Sequence, residues 1–267
     1  MIGNLIPALI VGALAFILFR QLYLYCSKAI GRAVLIFTAL LLAVPAILFA
    51  SNYVFLVPYA KWFRELHALP GAEISSGLAG GLLGIMFASS KIRPGELNRS
   101  VLMLFTTFIL ILIVTPFHQQ LFSCLDYSSL HNEWIDDVCS QTSGYTCLLA
   151  STATVVRTLG GNLTEPQLAR EAGTTYDGTE TWYYIRALRK HGYEPYFRHL
   201  RSFKDAPIPS VIGVKYTSRG HAVALLGRDA NGVELGDPIR GHHYYKRSEL
   251  PGGYIPDGLC IKISKIK

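Results

Sequence analysis

Acidic residues are scarce in the first 117 positions of this 267-residue chain, where three face eight lysines and arginines. That stretch lacks the dense mixed charge of an ordinary soluble surface. Basic residues are not massed anywhere either. The net charge of +7 divides as +5 over residues 1–117 and +2 over residues 118–267. This excludes a nucleic-acid footprint, which gathers basic side chains on one folded face. No G-x-x-x-x-G-K-[ST] sequence is present, so no phosphate-cradling loop of that kind is expected. Internal repeats and low-complexity tracts are also missing.

Long apolar runs fill the charge-poor part. Ile2–Phe19, Ala33–Ala50, Ile74–Ala88 and Val101–Phe117 approach the length a bilayer span needs. The third is short and rich in glycine, but Ser76, Gly80 and Gly84 recur every four residues, the small-residue seam that lets membrane helices approach closely. Arg20, Lys28 and Arg32 follow the first run, and Lys91, Arg93 and Arg99 follow the third against Glu96 alone. Lys61 and Arg64, after the second, are balanced by Glu65 and Glu73. The positive-inside rule then puts loops one and three in the cytoplasm and both termini outside. The expectation is a multi-pass protein of a bacterial inner membrane, with a four-helix domain over 1–117 and an extracytoplasmic domain over 118–267. Val57–Leu69 reads as an amphipathic helix lying in the outer interface. Cys26 falls on the cytoplasmic side. Cys124, Cys139, Cys147 and Cys260 fall outside, where disulfides survive; Cys139–Cys260, Cys124–Cys139 or no bridge at all remain open.

About 150 residues remain, enough to bury a core without staples. Leu148, Leu149, Ala153, Val155, Val156 and Leu159 fit one helix stopped at Gly160-Gly161. Thr164-Glu165-Pro166-Gln167 reads as a capped helix start, and Trp182–His191 as a third helix. Short β-rich runs follow at Tyr193–Arg198, Ser210–Tyr216, Ala222–Leu226, Val233–Leu235 and Leu259–Ile263. Helices first and an antiparallel sheet afterwards is an α+β arrangement.

Chemistry gathers in this second part. Cys147 opens the first of its helices, where the positive end of the peptide dipoles favours a thiolate. Gln141 stands six residues earlier with an amide able to donate to an oxyanion. His221 follows Gly220 at the edge of an apolar run, and Asp237 lies within Gly236-Asp237-Pro238. A thiol, an imidazole and a carboxylate in that order are the parts of a cysteine hydrolase. Adjacent His242 and His243 would point to opposite faces of a strand and so not share one ion. Neither a metal nor a cofactor is expected. Tyr183, Tyr184, Tyr244 and Tyr245 are expected to line the sheet or the cleft.

Together with Leu159-Gly160-Gly161, Leu163–Ala169, Gly178-Thr179 and Pro209–Ile212, these motifs give segment 138–263 a clear likeness. It resembles the bacteriocin-processing or double-glycine leader peptidases, cysteine peptidase family 39, which have a papain-like fold. The resemblance implies Cys147 as nucleophile, His221 as general base then acid, Asp237 as orienter of the imidazole and Gln141 as oxyanion donor. Thr146 and Leu148 depart from the Asp and Gly that family places beside its nucleophile. The expected activity is a membrane-anchored cysteine peptidase acting on a secreted or membrane-embedded polypeptide. A thioester-forming acyl or peptidyl transferase and an inactive peptide-binding module are the alternatives, and the sequence leaves the oligomeric state open.

Overall fold

The apolar runs are helices in the computed structural model, which describes residues 2–53, 61–92, 99–216, 220–246, 248–252 and 254–266. The first unit, Met1–Ser123, contains α1 (Leu5–Tyr25), α2 (Ala29–Tyr53), α3 (Lys61–His67), a 3₁₀ segment Ala72–Ala79 running into α4 (Gly80–Ile92), and α5 (Arg99–Val114). A 3₁₀ turn, Thr115–Phe117, joins α5 to the short α6 (His118–Phe122). Among the described residues four stretches are long and apolar enough to cross a membrane: Leu5–Tyr25, Ala29–Ser51, Ala72–Ile92 and Arg99–Phe122.

Side-chain size is sorted as lipid would sort it. Ala8, Ala15, Ala39, Ala43, Ala46 and Ala88 are buried, while Ile6, Leu14, Phe37, Leu104 and Phe108 face outward. Small residues inside let backbones approach, and large apolar ones outside suit a hydrocarbon solvent. The seam expected at Ser76, Gly80 and Gly84 is shifted by one residue at its start. A Cβ at Gly77, Gly80 or Gly84 would run into the backbone of Ala8, Gly12 or Phe16 on α1, whereas Ser76 donates to the Ile113 carbonyl on α5 at 3.0 Å. The cause is the 3₁₀ winding of 72–79, with three residues per turn, which a four-residue period does not anticipate. In the expected interfacial helix Val57–Leu69, residues 57–60 lie outside those described. Within α3, Trp62 is exposed while Phe63 and His67 are buried, their rings 4.0 Å apart.

The second unit, Cys124–Lys267, begins with a small hairpin, β1 (Trp134–Ile135) and β2 (Val138–Cys139). Helices α7 (Cys147–Thr158), α8 (Glu165–Glu171) and α9 (Thr181–Lys190) follow. Strands β3 (Tyr193–His199), β4 (Ser210–Val214), β5 (His221–Arg228), β6 (Gly232–Asp237), β7 (Gly241–Lys246) and β8 (Pro256–Lys265) complete it. Among the described residues these six strands form one antiparallel sheet in the order β3-β8-β4-β5-β6-β7. The second unit is thus the α+β arrangement expected, with β7 and the β1–β2 hairpin as additions. β7 reads poorly because it pairs with one neighbour only and carries exposed His242, His243 and Tyr244.

Strand alternation builds two cores. Val211, Ala222, Ala224, Ile261 and Ile263 pack with Leu149, Ala153, Val156, Leu188 and Cys139. Ile212, Val223, Leu225, Leu235 and Cys260 pack with Phe203 and Tyr254. All five cysteines are free thiols. The bridges considered, Cys139–Cys260 and Cys124–Cys139, are therefore not formed. For the first, the reason is plain: Cys139 sits in the core on the helix side and Cys260 in the other. Burial pushes the Cys139 thiol up to about 12, helped by the charge of Glu165, so it is an inert space-filler. Cys124, at the start of the unit, is exposed.

Candidate active site

Helix α7 carries one face of the site, and its small polar residues fix it to three neighbours. The Ser151 hydroxyl donates to the Ala222 carbonyl on β5 at 2.9 Å. Thr154 accepts the Cys139 N–H of β2 at 2.9 Å, and Thr152 shares a 2.8 Å bond with the Tyr184 hydroxyl of α9. Leu149, Ala150, Ala153, Val155 and Val156 are wholly buried. Each such side chain contributes about 1.5–3 kcal/mol through burial, alanine less. The helix ends at Thr158 with Leu159 as its C-cap, followed by Gly160 at φ +74°, a conformation that suits glycine.

Cys147, half-buried, is the first residue of α7, after Thr146 at the N-cap. The first N–H groups of a helix have no partner inside it and point where negative charge would develop. His221 opens β5, one residue before the Ala222 that Ser151 grips, so the thiol and the imidazole are referenced to each other through one hydrogen bond. Both side chains line one cleft. The Nε2 atom of His221 lies 2.9 Å from Oδ1 of Asp237, which leaves Nδ1 for the sulfur.

Asp237 is completely buried. Burial opposes its charge, but His221, the Tyr254 hydroxyl and the Ile239 N–H (2.8 Å) hold its carboxyl below the usual range. Tyr254 donates to Oδ2, so both oxygens are engaged. Burial also opposes the charge on His221, yet Asp237 and Cys147 prevail and push the imidazole up to about 9.

Each residue of Gly236-Asp237-Pro238 has a separate use. A Cβ at Gly236 would crowd Val138 and Thr154 at 3.0 and 3.2 Å, Asp237 holds the imidazole, and the Pro238 carbonyl accepts the Gln141 N–H at 3.0 Å. Gln141 is thereby set beside the Asp237 turn. Its Nε2 donates to the Ser143 carbonyl at 2.9 Å, leaving the second N–H of the amide, and Gln141 is not among the described residues lining the cleft. That cleft, of about 640 Å³, is lined by Cys147, His221, Tyr145, Tyr176, Gly178 and Asp257 among others. Of the tyrosines expected to line the sheet or the cleft, Tyr244 and Tyr245 lie on β7, Tyr245 against the second core and Tyr244 exposed and bonded to Asp229 at 2.8 Å, whereas Tyr183 and Tyr184 are buried in α9. His242 bonds Glu234 at 2.7 Å.

Sequence reading missed Tyr254, which no motif marks. Tyr216 and Arg240 join it, the Arg240 guanidinium donating to the Tyr216 hydroxyl at 2.7 Å and lying over both rings. Glu165 was visible only as part of a helix start.

Residues 136–263 match the family model described as the peptidase C39 family. An uncharacterised protein of Methanothermobacter thermautotrophicus is 34% identical over 112 residues, which span 40% of this chain and 75% of that one. Another, from Methanothermobacter marburgensis, is 33% identical over 108 residues, with the same shares. Among solved structures, a double glycine motif protease from an AMS/PCAT transporter, crystallised with the leader peptide, shares 21% identity. It covers 48% of this chain and 90% of its own, with a TM-score of 0.42. The peptidase domain of Streptococcus ComA, a bifunctional ABC transporter, shares 20% identity over 51% of this chain and 99% of its own, with a TM-score of 0.41.

Proposed function

Because the chain belongs to the peptidase C39 family of cysteine peptidases, we propose that Cys147, His221 and Asp237 are its catalytic triad, with Gln141 as an oxyanion donor. The observation that carries this reading is the position of His221, bonded to Asp237 and lining one cleft together with Cys147. His221 takes the proton of the Cys147 thiol as the sulfur attacks. The thiolate adds to an amide carbonyl. The oxyanion is met by the second N–H of the Gln141 amide and by the Cys147 backbone N–H. His221 then gives its proton to the departing amine, and later takes one from water that releases the acyl group. Asp237, held by Tyr254 and the Ile239 N–H, fixes the ring so that Nδ1 stays on the sulfur.

The four apolar helices anchor this unit in a membrane, and the loop charges orient it with both termini and the catalytic unit on the extracytoplasmic side. The substrate is then a secreted or membrane-associated polypeptide. The test compares the low-molecular-weight peptides and membrane proteome of cells carrying wild-type protein and Cys147→Ala. A polypeptide that stays uncut only in the variant supports the reading. Processing that continues unchanged in a Cys147→Ala strain contradicts it.

A further inference from the structure

A buried carboxylate that the triad does not use stands behind the nucleophile. Glu165, the first residue of α8, is completely buried. Its Oε1 accepts the Thr142 N–H at 2.8 Å and its Oε2 the Thr142 hydroxyl at 3.1 Å. Burial pushes its carboxyl up from the ordinary value, against the two bonds from Thr142. These partners lie in the 141–146 segment, which leads from β2 into the nucleophile helix. The segment is latched further along. Thr146 Oγ1 accepts the Ser143 N–H at 3.1 Å, and the Ser143 carbonyl holds the Gln141 amide. Thr142 also accepts the His131 N–H at 2.9 Å.

Burying a carboxylate is costly unless hydrogen bonds compensate. Helix α8 does not need this one as a cap, since Thr164 already accepts the Gln167 N–H at 3.3 Å. What the carboxylate offers that a neutral amide would not is pure acceptance, on both oxygens, of donors from one segment. We infer that Glu165 is a positioning residue for the oxyanion site: it fixes the 141–146 segment, which carries Gln141 and leads into the Cys147 N–H, the two proposed oxyanion donors. This inference rests on the assignment of Cys147 as nucleophile.

Two reactions of the same sulfur separate this role from a merely structural one. With N-acetylglycine p-nitrophenyl ester, the Cys147 sulfur bonds the carbonyl carbon and p-nitrophenolate leaves, through an oxyanion. With iodoacetamide, the sulfur bonds a methylene carbon and iodide leaves, and no carbonyl oxygen gains charge. In the full chain in detergent, Glu165→Gln is expected to slow the p-nitrophenolate burst by about 10²-fold, the scale of a small misplacement, with alkylation of Cys147 unchanged. Combined with Gln141→Ala, it adds no further loss, because both act on one site. Thr142→Val, which removes one donor to the carboxylate, gives the same pattern with a smaller loss and stands in if Glu165→Gln does not fold. An unchanged burst, a parallel fall of burst and alkylation, or losses that multiply in the double variant would each overturn the inference. Should Cys147→Ala still give the burst, the nucleophile assignment itself fails; a burst that needs Cys147 but ignores Glu165 removes only the positioning role.

Discussion

At the residue scale the site is a chain of acceptors and donors ending in a buried carboxylate, and each link predicts a measurable loss. Tyr254→Phe removes one donor from Asp237. Hydrogen bonds to charged groups contribute roughly 1.5–3 kcal/mol, so the acylation rate is expected to fall by about tenfold or more, with folding retained. Asp237→Asn disturbs the tautomer and aim of His221 and is expected to cost more, by as much as about 10⁴-fold. A Tyr254→Phe variant as fast as wild type would remove the tyrosine from the account. The raised imidazole has a thermodynamic counterpart. His221 moves from an ordinary value near ~6.5 to about 9 in the fold. The stabilisation this gives is therefore full below about pH 6.5 and lost as pH rises through about 9. Thermal unfolding of the full chain in detergent should show a decline across that window, weakened in Cys147→Ala, which lacks one of the two groups that raise the ring. A flat profile would mean that the imidazolium is not favoured in the fold.

Cys147, His221 and Asp237 were legible in the sequence because each sits at an element boundary that glycine, proline or an apolar run announces. Tyr254 and Glu165 were not. Their roles depend on which donor meets which oxygen across 17 and 23 residues of sequence, and nothing local records that.

Among elements, the helices of both units and five strands of the large sheet follow from apolar periodicity and turn residues. The failures have physical causes. A four-residue period missed the 3₁₀ winding at 72–79, and an exposed edge strand, β7, hid behind its histidines and tyrosines. Cysteine counting cannot tell which face of a sheet a residue takes, so it left open bridges that Cys139 and Cys260, in separate cores, do not form. The seam offers a direct check. Gly80→Val puts a branched side chain against the Gly12 backbone of α1. It is expected to destabilise the first unit by about 1–3 kcal/mol, the usual range for overpacking. Gly3→Ala, with open space around the new methyl, should be near neutral. Equal melting temperatures for the two variants in detergent would contradict this packing.

For the whole molecule, charge placement carries the argument. The first unit's excess of basic residues lies between apolar runs, the placement of an orienting signal rather than of a polyanion site. A reporter fused after Thr115 should read as extracytoplasmic, and a cytoplasmic signal would reverse the proposed side of the catalytic unit without touching its chemistry. The family membership carries the peptidase fold and the cysteine chemistry; the unit of apolar helices, outside the matched residues 136–263, is where this chain's choice of substrate is expected to differ. The central claim is that Cys147 is a nucleophile made reactive by His221. Its most direct test is peptide mapping by mass spectrometry after brief exposure of the full chain to N-acetylglycine p-nitrophenyl ester. The account predicts an acetylglycyl adduct on Cys147, retained in Cys139→Ser and lost in His221→Ala. An adduct on Cys139, or equal labelling of Cys147 with and without His221, would contradict it.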